Sequence, residues 1–504
     1  MTRGGLGHRT ARAAGWTLGA RLIARLLDIL VLLALARLLG PQDFGLVALA
    51  IGVVQLSEAV LDMPVADLIA RERAVSRRLL DTCFTIGLLR GVLLGGLLAG
   101  AAAPLAAFYA RPELAALILA IALAPVFRGF LNPRLVLLAR RLDYRLEVTV
   151  EVVAKATACL TALAFGVATG SYWALALVTI LSPMLATGLS YAALPFRPRL
   201  SLSHWRRLRH AVGWNFARQI ASAFNWQIGR LMSGRLVPLG PLGHFSMAEQ
   251  ISALPRQVIV VPLLRPLIAG LSAARIGSRE AALGLAAGRA VLAVAGPLLV
   301  AIAILAPLAV GPLLGPEWQP AAPVLALLAL AQLLALTAAP LPAVAIKADR
   351  VDLLAGLELA VLAVRLPLLW LGLTSFGIIG AGYASLAVSC LTFALSTALL
   401  ARLLEVPISA MLRALAAPML GLLAMALALV LAVQHLPSDL TPLHLVAALG
   451  IATGAAGTLH LAVLAIVWRF DGRPPGLEGL AVDLIGRAFT RLRSRGPVIE
   501  RGDA

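Results

Sequence analysis

The chain has 504 residues, of which 61% are hydrophobic and 13% charged, with a formal net charge of +19. A soluble globular protein carries about 25% charged and about 45–50% apolar residues, so this composition excludes a water-facing surface and makes lipid the solvent for most side chains. A mean hydropathy of +0.93 agrees; the basic pI near 11.4 would suit nucleic acid in a soluble protein, but the placement of the charge along the chain excludes that partner.

A hydrocarbon core of about 30 Å takes roughly 20 helical residues to cross. Fourteen apolar stretches of that size follow one another, numbered span 1 to span 14: 15–38, 43–62, 79–103, 113–138, 145–168, 171–193, 211–235, 243–271, 283–310, 318–345, 352–372, 375–401, 408–433 and 443–468. Long continuous Leu/Ala/Val runs, without ten-residue alternation, exclude a β-barrel. A basic start (Arg3, Arg9, Arg12) precedes span 1, which carries Arg21, Arg25 and Asp28 and is too long for a signal-peptide core. It reads as an uncleaved first span. Spans 3 and 10 are the least regular, carrying charges or the pair Pro340 and Pro342. Cys83, Cys159 and Cys390 each fall in an apolar segment without metal-ligand spacing and are expected to be buried, inert thiols.

Charge in the loops alternates. The N-terminus, the even-numbered loops and the tail are rich in Lys and Arg, with Arg71, Arg73, Arg77 and Arg78 in one loop and Arg197, Arg199, Arg206, Arg207 and Arg209 in another. The odd-numbered loops hold Arg111 alone. Basic loops stay cytoplasmic, which predicts two cytoplasmic termini, an even number of spans and, for a bacterial chain, residence in the inner membrane. The same charges would attract anionic lipid.

The sequence also repeats. Gly15-Trp16 recurs as Gly213-Trp214, Arg37-Leu38 as Arg235-Leu236, and Gly45 as Gly243, all at one offset. Both copies start on the same side, so the repeats are parallel. An all-α integral membrane protein with about 14 transmembrane helices is expected: two six-helix bundles (1–210 and 211–407) related by a pseudo-two-fold along the membrane normal and facing across a cleft, two additional helices (408–469), and a basic cytoplasmic tail (470–504).

Ionisable groups inside a membrane are costly and face protein or water. Arg21, Arg25 and Asp28 share one face of span 1, and Glu58 and Asp62 one face of span 2. Span 4 has Arg128, span 5 Glu147, Glu151 and Lys155, span 7 Arg218 and Arg230, and span 8 Glu249, Arg256 and Arg265. Arg25–Asp28 and Glu151–Lys155 could be pairs within one helix, and Arg37, Asp62, Arg235 and Arg265, near span ends, could snorkel. As a set, Arg21, Arg25, Arg128, Arg218, Arg230 and Arg256 predict a cationic cleft, and the planar guanidinium suits phosphate. Such a cleft fits a pyrophosphate or an acidic sugar and not a cationic drug. Asp28, Glu58 and Glu249 are the candidates for charge balance or ion coupling, and Trp214, Phe216 and Trp226 for contact with sugar faces.

Three stretches carry a family resemblance. Arg37-Leu-Leu-Gly-Pro-Gln-Asp-Phe-Gly45 resembles the span 1–2 junction of bacterial lipid-linked oligosaccharide flippases (the Wzx-like polysaccharide exporters of the multidrug/oligosaccharidyl-lipid/polysaccharide exporter superfamily). Asn225-Trp-Gln-Ile-Gly-Arg230, with the following Gly243-His-Phe-Ser-Met-Ala248, resembles that family's span 7 and the junction after it, and Leu314-Gly-Pro-Glu-Trp318 its opening of span 10. Where this family often has an acidic residue in span 7, this chain has Gln227. The resemblance implies a transporter and not an enzyme. It implies alternating access that moves an undecaprenyl-pyrophosphate-linked oligosaccharide from the cytoplasmic to the outer leaflet for O-antigen, capsule or exopolysaccharide. No cofactor is implied beyond a coupling ion, H+ or Na+. A polysaccharide polymerase and a chain-length regulator are the implied protein partners, with membrane lipid around the chain. The alternatives are a lipid II or small-molecule exporter of the same superfamily, and a polymerase or acyltransferase. Against the last two, His204, His210, His244, His435, His444 and His460 make no catalytic spacing.

Overall fold

The structure is a computed structural model that describes residues 19, 23–61, 75–140, 145–203, 213–262, 278–437 and 441–470. Among these residues every regular element is a helix, and nine helices are long and apolar enough to cross a membrane. The protein is a multi-pass, all-α membrane protein.

Helix ends follow local chemistry. Span 1 is helical over 23–38. Span 2 (Pro41–Val60) starts with proline in the first turn, where a missing N–H costs nothing. Span 3 (Arg77–Phe108) is capped by Ser76, whose hydroxyl accepts from the Leu79 N–H at 3.2 Å. Span 5 is Arg145–Thr169, span 6 Trp173–Ala193 and span 7 Gly213–Leu236. Span 8 (Leu239–Pro255) passes into a π-helical turn, Arg256–Val260, directly after its proline. Span 9 is Ser278–Leu314, span 13 Ile408–Gln434 and span 14 Pro442–Phe470.

Four spans depart from the single helices expected. Span 4 is built from Glu113–Ile121, Leu123–Gly129 and Arg134–Arg140. Pro125 and Pro133 each lack the N–H that would continue the ladder. Asn132, 1% exposed, secures the second break: its Oδ1 accepts from the Arg134 N–H, and its Nδ2 donates to the Leu194 carbonyl at 2.7 Å. Span 10 is Ala321–Ala335, a single 3-10 turn, and Leu341–Lys347, broken by its prolines. Spans 11 and 12 run as one helical stretch, Val351–Leu403, bent at Gly377, whose φ of 58° and ψ of −138° are not helical.

The chain falls into two compact units. One takes in the chain up to Leu254 with Ala306–Ala331 and Arg350–Leu391; the other takes in Pro255–Leu305, Gln332–Asp349 and the chain from Thr392. These units reflect packing, whereas the bundles 1–210 and 211–407 are a division by sequence symmetry. In the first unit the core lies around span 2, with Leu46, Leu49, Val53, Leu114, Leu117, Ile118, Ile121 and Leu242 packed together. Span 2 is buried over 56% of its apolar window against 17% for span 14, so span 2 is an interior helix. In the second unit spans 13 and 14 pack on each other. His460 is buried at 1% exposure, facing the Ala293 carbonyl of span 9 at 3.0 Å. Cys83 and Cys159 are buried, but Cys390 is exposed on span 12, which corrects the expectation for it: an apolar helix has a lipid face as well as a packed one.

Candidate transport cleft

Within the first unit a cleft of about 480 Å³ opens between spans 2, 3, 4 and 7, lined by Gln55, Glu58, Arg90, Arg128 and Gln219 with the glycines of spans 3 and 4. Those glycines set its back wall. A Cβ on Gly91 would come within 2.6 Å of the Pro125 carbonyl, and one on Gly129 within 2.6 Å of the Gly87 carbonyl. The two backbones therefore touch, and the arginines beside them, Arg90 and Arg128, reach the same opening. Both hold Glu58: Arg128 pairs with its carboxylate, and Arg90 Nη2 donates to its backbone carbonyl at 2.8 Å.

A polar seam runs along span 7 beside this cleft. Gln227 Nε2 donates to Gln55 Oε1 at 2.8 Å, so Gln227 is bound to a lining residue of the cleft. Asn225 Nδ2 donates to both the carboxylate and the backbone carbonyl of Glu358 at 2.8 Å, and Arg365 donates to the Asn225 carbonyl. Arg230 and Glu249 form an ion pair at 2.5 Å with side chains only 7% and 14% exposed. Two residues expected in different roles thus meet in one buried pair.

The other expected residues lie as follows. Asp28 is 2.8 Å from Lys155 of span 5 and 3.4 Å from Arg25 of its own helix. Lys155 therefore bridges two spans, where a pair with Glu151 inside span 5 was the simpler expectation. Arg25 is 45% exposed at its side chain. Trp226 is exposed on span 7. Arg256 is exposed at the start of the π-helical turn, in the second unit. Arg21 lies outside the described residues, as do the side chains of Trp214, Phe216 and Arg218. The structure thus brings Glu58 and Arg128 together at the cleft. Arg90, Glu358 and Arg365 fall outside the charged residues singled out from the sequence. Their signal was present: Arg90 interrupts an apolar run, and Glu358 and Arg365 are seven apart, on one helical face.

A family model described as "Polysaccharide biosynthesis protein" matches residues 34–323. The chain belongs to the polysaccharide biosynthesis protein family. The cleft, the seam from Asn225 to Glu249 and all three motifs that carried the resemblance lie inside the matched region, apart from the end of the seam at Glu358 and Arg365. The resemblance to the Wzx-like exporters is borne out by two relatives. The succinoglycan biosynthesis transport protein ExoT of Rhizobium meliloti (strain 1021) is 25% identical over 327 residues, 64% of this chain and 66% of the relative. The lipopolysaccharide biosynthesis protein WzxC of Escherichia coli (strain K12) is 21% identical over 258 residues, 50% of this chain and 52% of the relative. The chain therefore matches just under two thirds and about half of the lengths of these relatives. The fold of this polysaccharide biosynthesis protein is shared with two solved structures. The lipid II flippase MurJ in an inward closed conformation aligns with a TM-score of 0.70 at 12% identity, covering 90% of this chain and 99% of that one. An inward-facing multidrug resistance MATE family transporter of the MOP superfamily aligns with a TM-score of 0.53 at 14% identity, covering 76% and 96%. At these identities the likeness is one of fold.

Proposed function

We propose that this chain is a flippase that carries an undecaprenyl-pyrophosphate-linked oligosaccharide from the cytoplasmic to the outer leaflet of the bacterial inner membrane, for assembly of a surface polysaccharide. The observation that carries the reading is the placement of Arg90 and Arg128 on one wall of a membrane cleft, both bonded to Glu58, Arg128 at its carboxylate and Arg90 at its backbone carbonyl. A phosphate arriving in the cleft competes with the Glu58 carboxylate for Arg128, and the planar guanidinium offers two parallel donors to it. Gln55 and Gln219 supply amides suited to sugar hydroxyls. Family membership and the transport protein among its relatives support the same reading. In it both termini are cytoplasmic, the lipid tail stays in the bilayer, and the delivered unit passes to a polymerase. A proton or sodium gradient drives the cycle, with Asp28, Glu58 and Glu249 as the groups that balance or release charge.

The test is a strain lacking this gene, with lipid-linked oligosaccharide and surface polymer compared by mass spectrometry. The expected result is accumulated undecaprenyl-pyrophosphate oligosaccharide with loss of surface polymer, restored by the intact gene and not by Arg128→Glu at equal membrane levels. Unchanged lipid-linked pools, or full rescue by Arg128→Glu, overturns the reading.

A further inference from the structure

The two halves of the repeat meet in a contact that obeys the repeat's own symmetry. The offset that carries Gly45 onto Gly243 carries Pro41 onto Leu239 and Gln42 onto Gly240. In the first compact unit a Cβ on Gly45 would overlap the Leu239 carbonyl, and a Cβ on Gly243 would overlap the Pro41 carbonyl. A Cβ on Gly240 would lie 3.7 Å from Cγ of Gln42. Residue i of one half touches residue j of the other, and the equivalent of j touches the equivalent of i, which is the signature of an isologous contact across a two-fold axis. The axis passes between Gln42 and Gly240.

The arms around this crossing keep the same symmetry. Arg37, at the end of span 1, donates to the carbonyls of Pro312 and Leu313 in the last turn of span 9. Its repeat equivalent Arg235, at the end of span 7, lies over the ring of Phe108, the last residue of span 3, at 5.8 Å. Each arginine reaches the C-terminal end of the third span of the opposite half, where a cation is favoured by the free carbonyls. Trp318, 0% exposed, adds a bond from its Nε1 to the Ala36 carbonyl at 2.9 Å and an edge contact with Phe44.

We propose that the Gly45–Gly243 crossing is the gate of the cleft on the membrane face opposite the basic loops, held shut by backbone contact across the axis and by the Arg37 and Trp318 bonds around it. This rests on the transport reading above. A contact in which two equivalent glycines each meet the other half's carbonyl has one closed geometry, and it opens when the halves move apart on either side of the axis, without breaking either helix. Bonds from Arg37 and Trp318 to backbone carbonyls do not depend on the identity of the residues they meet, so they can be exchanged for water as the halves part.

The experiment uses the full chain in native membranes, with Cys83, Cys159 and Cys390 replaced by Ala and a reporter, Gln55→Cys, placed in the cleft. A membrane-impermeant maleimide is applied to right-side-out and inverted vesicles. Adding Gln42→Cys and Gly240→Cys and oxidising them is expected to abolish labelling of the reporter from the outer face and spare labelling from the cytoplasmic face, reversibly with reductant. Gly45→Val, which cannot close, is expected to raise outer-face labelling. Outer-face labelling unchanged by the locked pair overturns the proposal, and so does failure of the pair to form a disulfide in protein whose reporter is labelled normally from the cytoplasmic face. If Gly45→Val fails to accumulate, the locked pair decides alone. The readout needs no cargo, so a failed gate and a wrong cargo are told apart by comparison with the deletion strain.

Discussion

Arg230 and Glu249 sit in a membrane protein's interior as an ion pair at 2.5 Å. Removing one partner of a buried pair costs about 3–5 kcal/mol, because the survivor is left charged and desolvated, whereas apolar replacement of both is often neutral. Arg230→Ala is therefore expected to lower thermal stability in detergent by that order, and Arg230→Met with Glu249→Leu to recover most of it. If the double variant is as unstable as the single one, the pair is not what holds spans 7 and 8. Arg128 differs in kind. Its side chain is 49% exposed in the cleft, a surface-like pair is worth about 0–1 kcal/mol, and Arg128→Gln is expected to leave the melting temperature unchanged while export falls. Melting curves of the two variants side by side separate a structural arginine from a working one. Sequence reading could list both as membrane arginines but could not rank them, because periodicity gives the face of a helix and not the partner across it. Lys155 shows the same limit: four residues from Glu151 in sequence, it pairs with Asp28 of another span.

At the scale of elements, the cleft depends on spans 3 and 4 touching backbone to backbone. Gly129→Ala would set a methyl 2.6 Å from the Gly87 carbonyl, which has no rotamer to move out of the way. Overpacking of this kind costs about 1–3 kcal/mol, and here it also moves Arg128. Gly100→Ala, on span 3 with nothing within 4 Å of the added carbon, is the control; glycine to alanine in a helix gains about 0.5–1 kcal/mol. Gly129→Ala is expected to lose both stability and export, and Gly100→Ala to lose neither; equal behaviour of the two would show that the contact does not shape the cleft. The sequence showed span 4 as one apolar run, and hydropathy alone cannot show otherwise. Its breaks are written in Pro125 and in Asn132-Pro133, whose effect depends on Asn132 finding the carbonyls of span 6. The repeat, by contrast, was legible from a few residues because Gly45 and Gly243 are fixed by backbone contact, which no other side chain satisfies.

At the scale of the whole molecule, the sidedness of everything after span 10 turns on one residue. The helical stretch Val351–Leu403 has 53 residues; at 1.5 Å per residue a straight helix of that length would reach about 80 Å, against a hydrocarbon core of about 30 Å. It must cross twice, and the turn is Gly377, where a φ of 58° with a ψ of −138° is open to glycine and costly for any residue with a Cβ. Close by, Cβ atoms on Gly372 and Gly380 would each overlap the other's carbonyl, so the two arms leave the bend in backbone contact. Charge agrees with two crossings. Arg350 and Arg402 flank the stretch at its two ends, while Leu373–Gly380 around the bend carries no charge, and basic ends belong together on the cytoplasmic side. In a background without native cysteines, an impermeant maleimide is expected to label Ser375→Cys from the outer face, and Arg350→Cys and Arg402→Cys from the cytoplasmic face alone. A single crossing would place positions 350 and 402 on opposite faces. It would also move the C-terminus outside and leave the basic tail on the wrong side of the membrane, so labelling of those two positions decides the bend and the parity of the spans in one measurement.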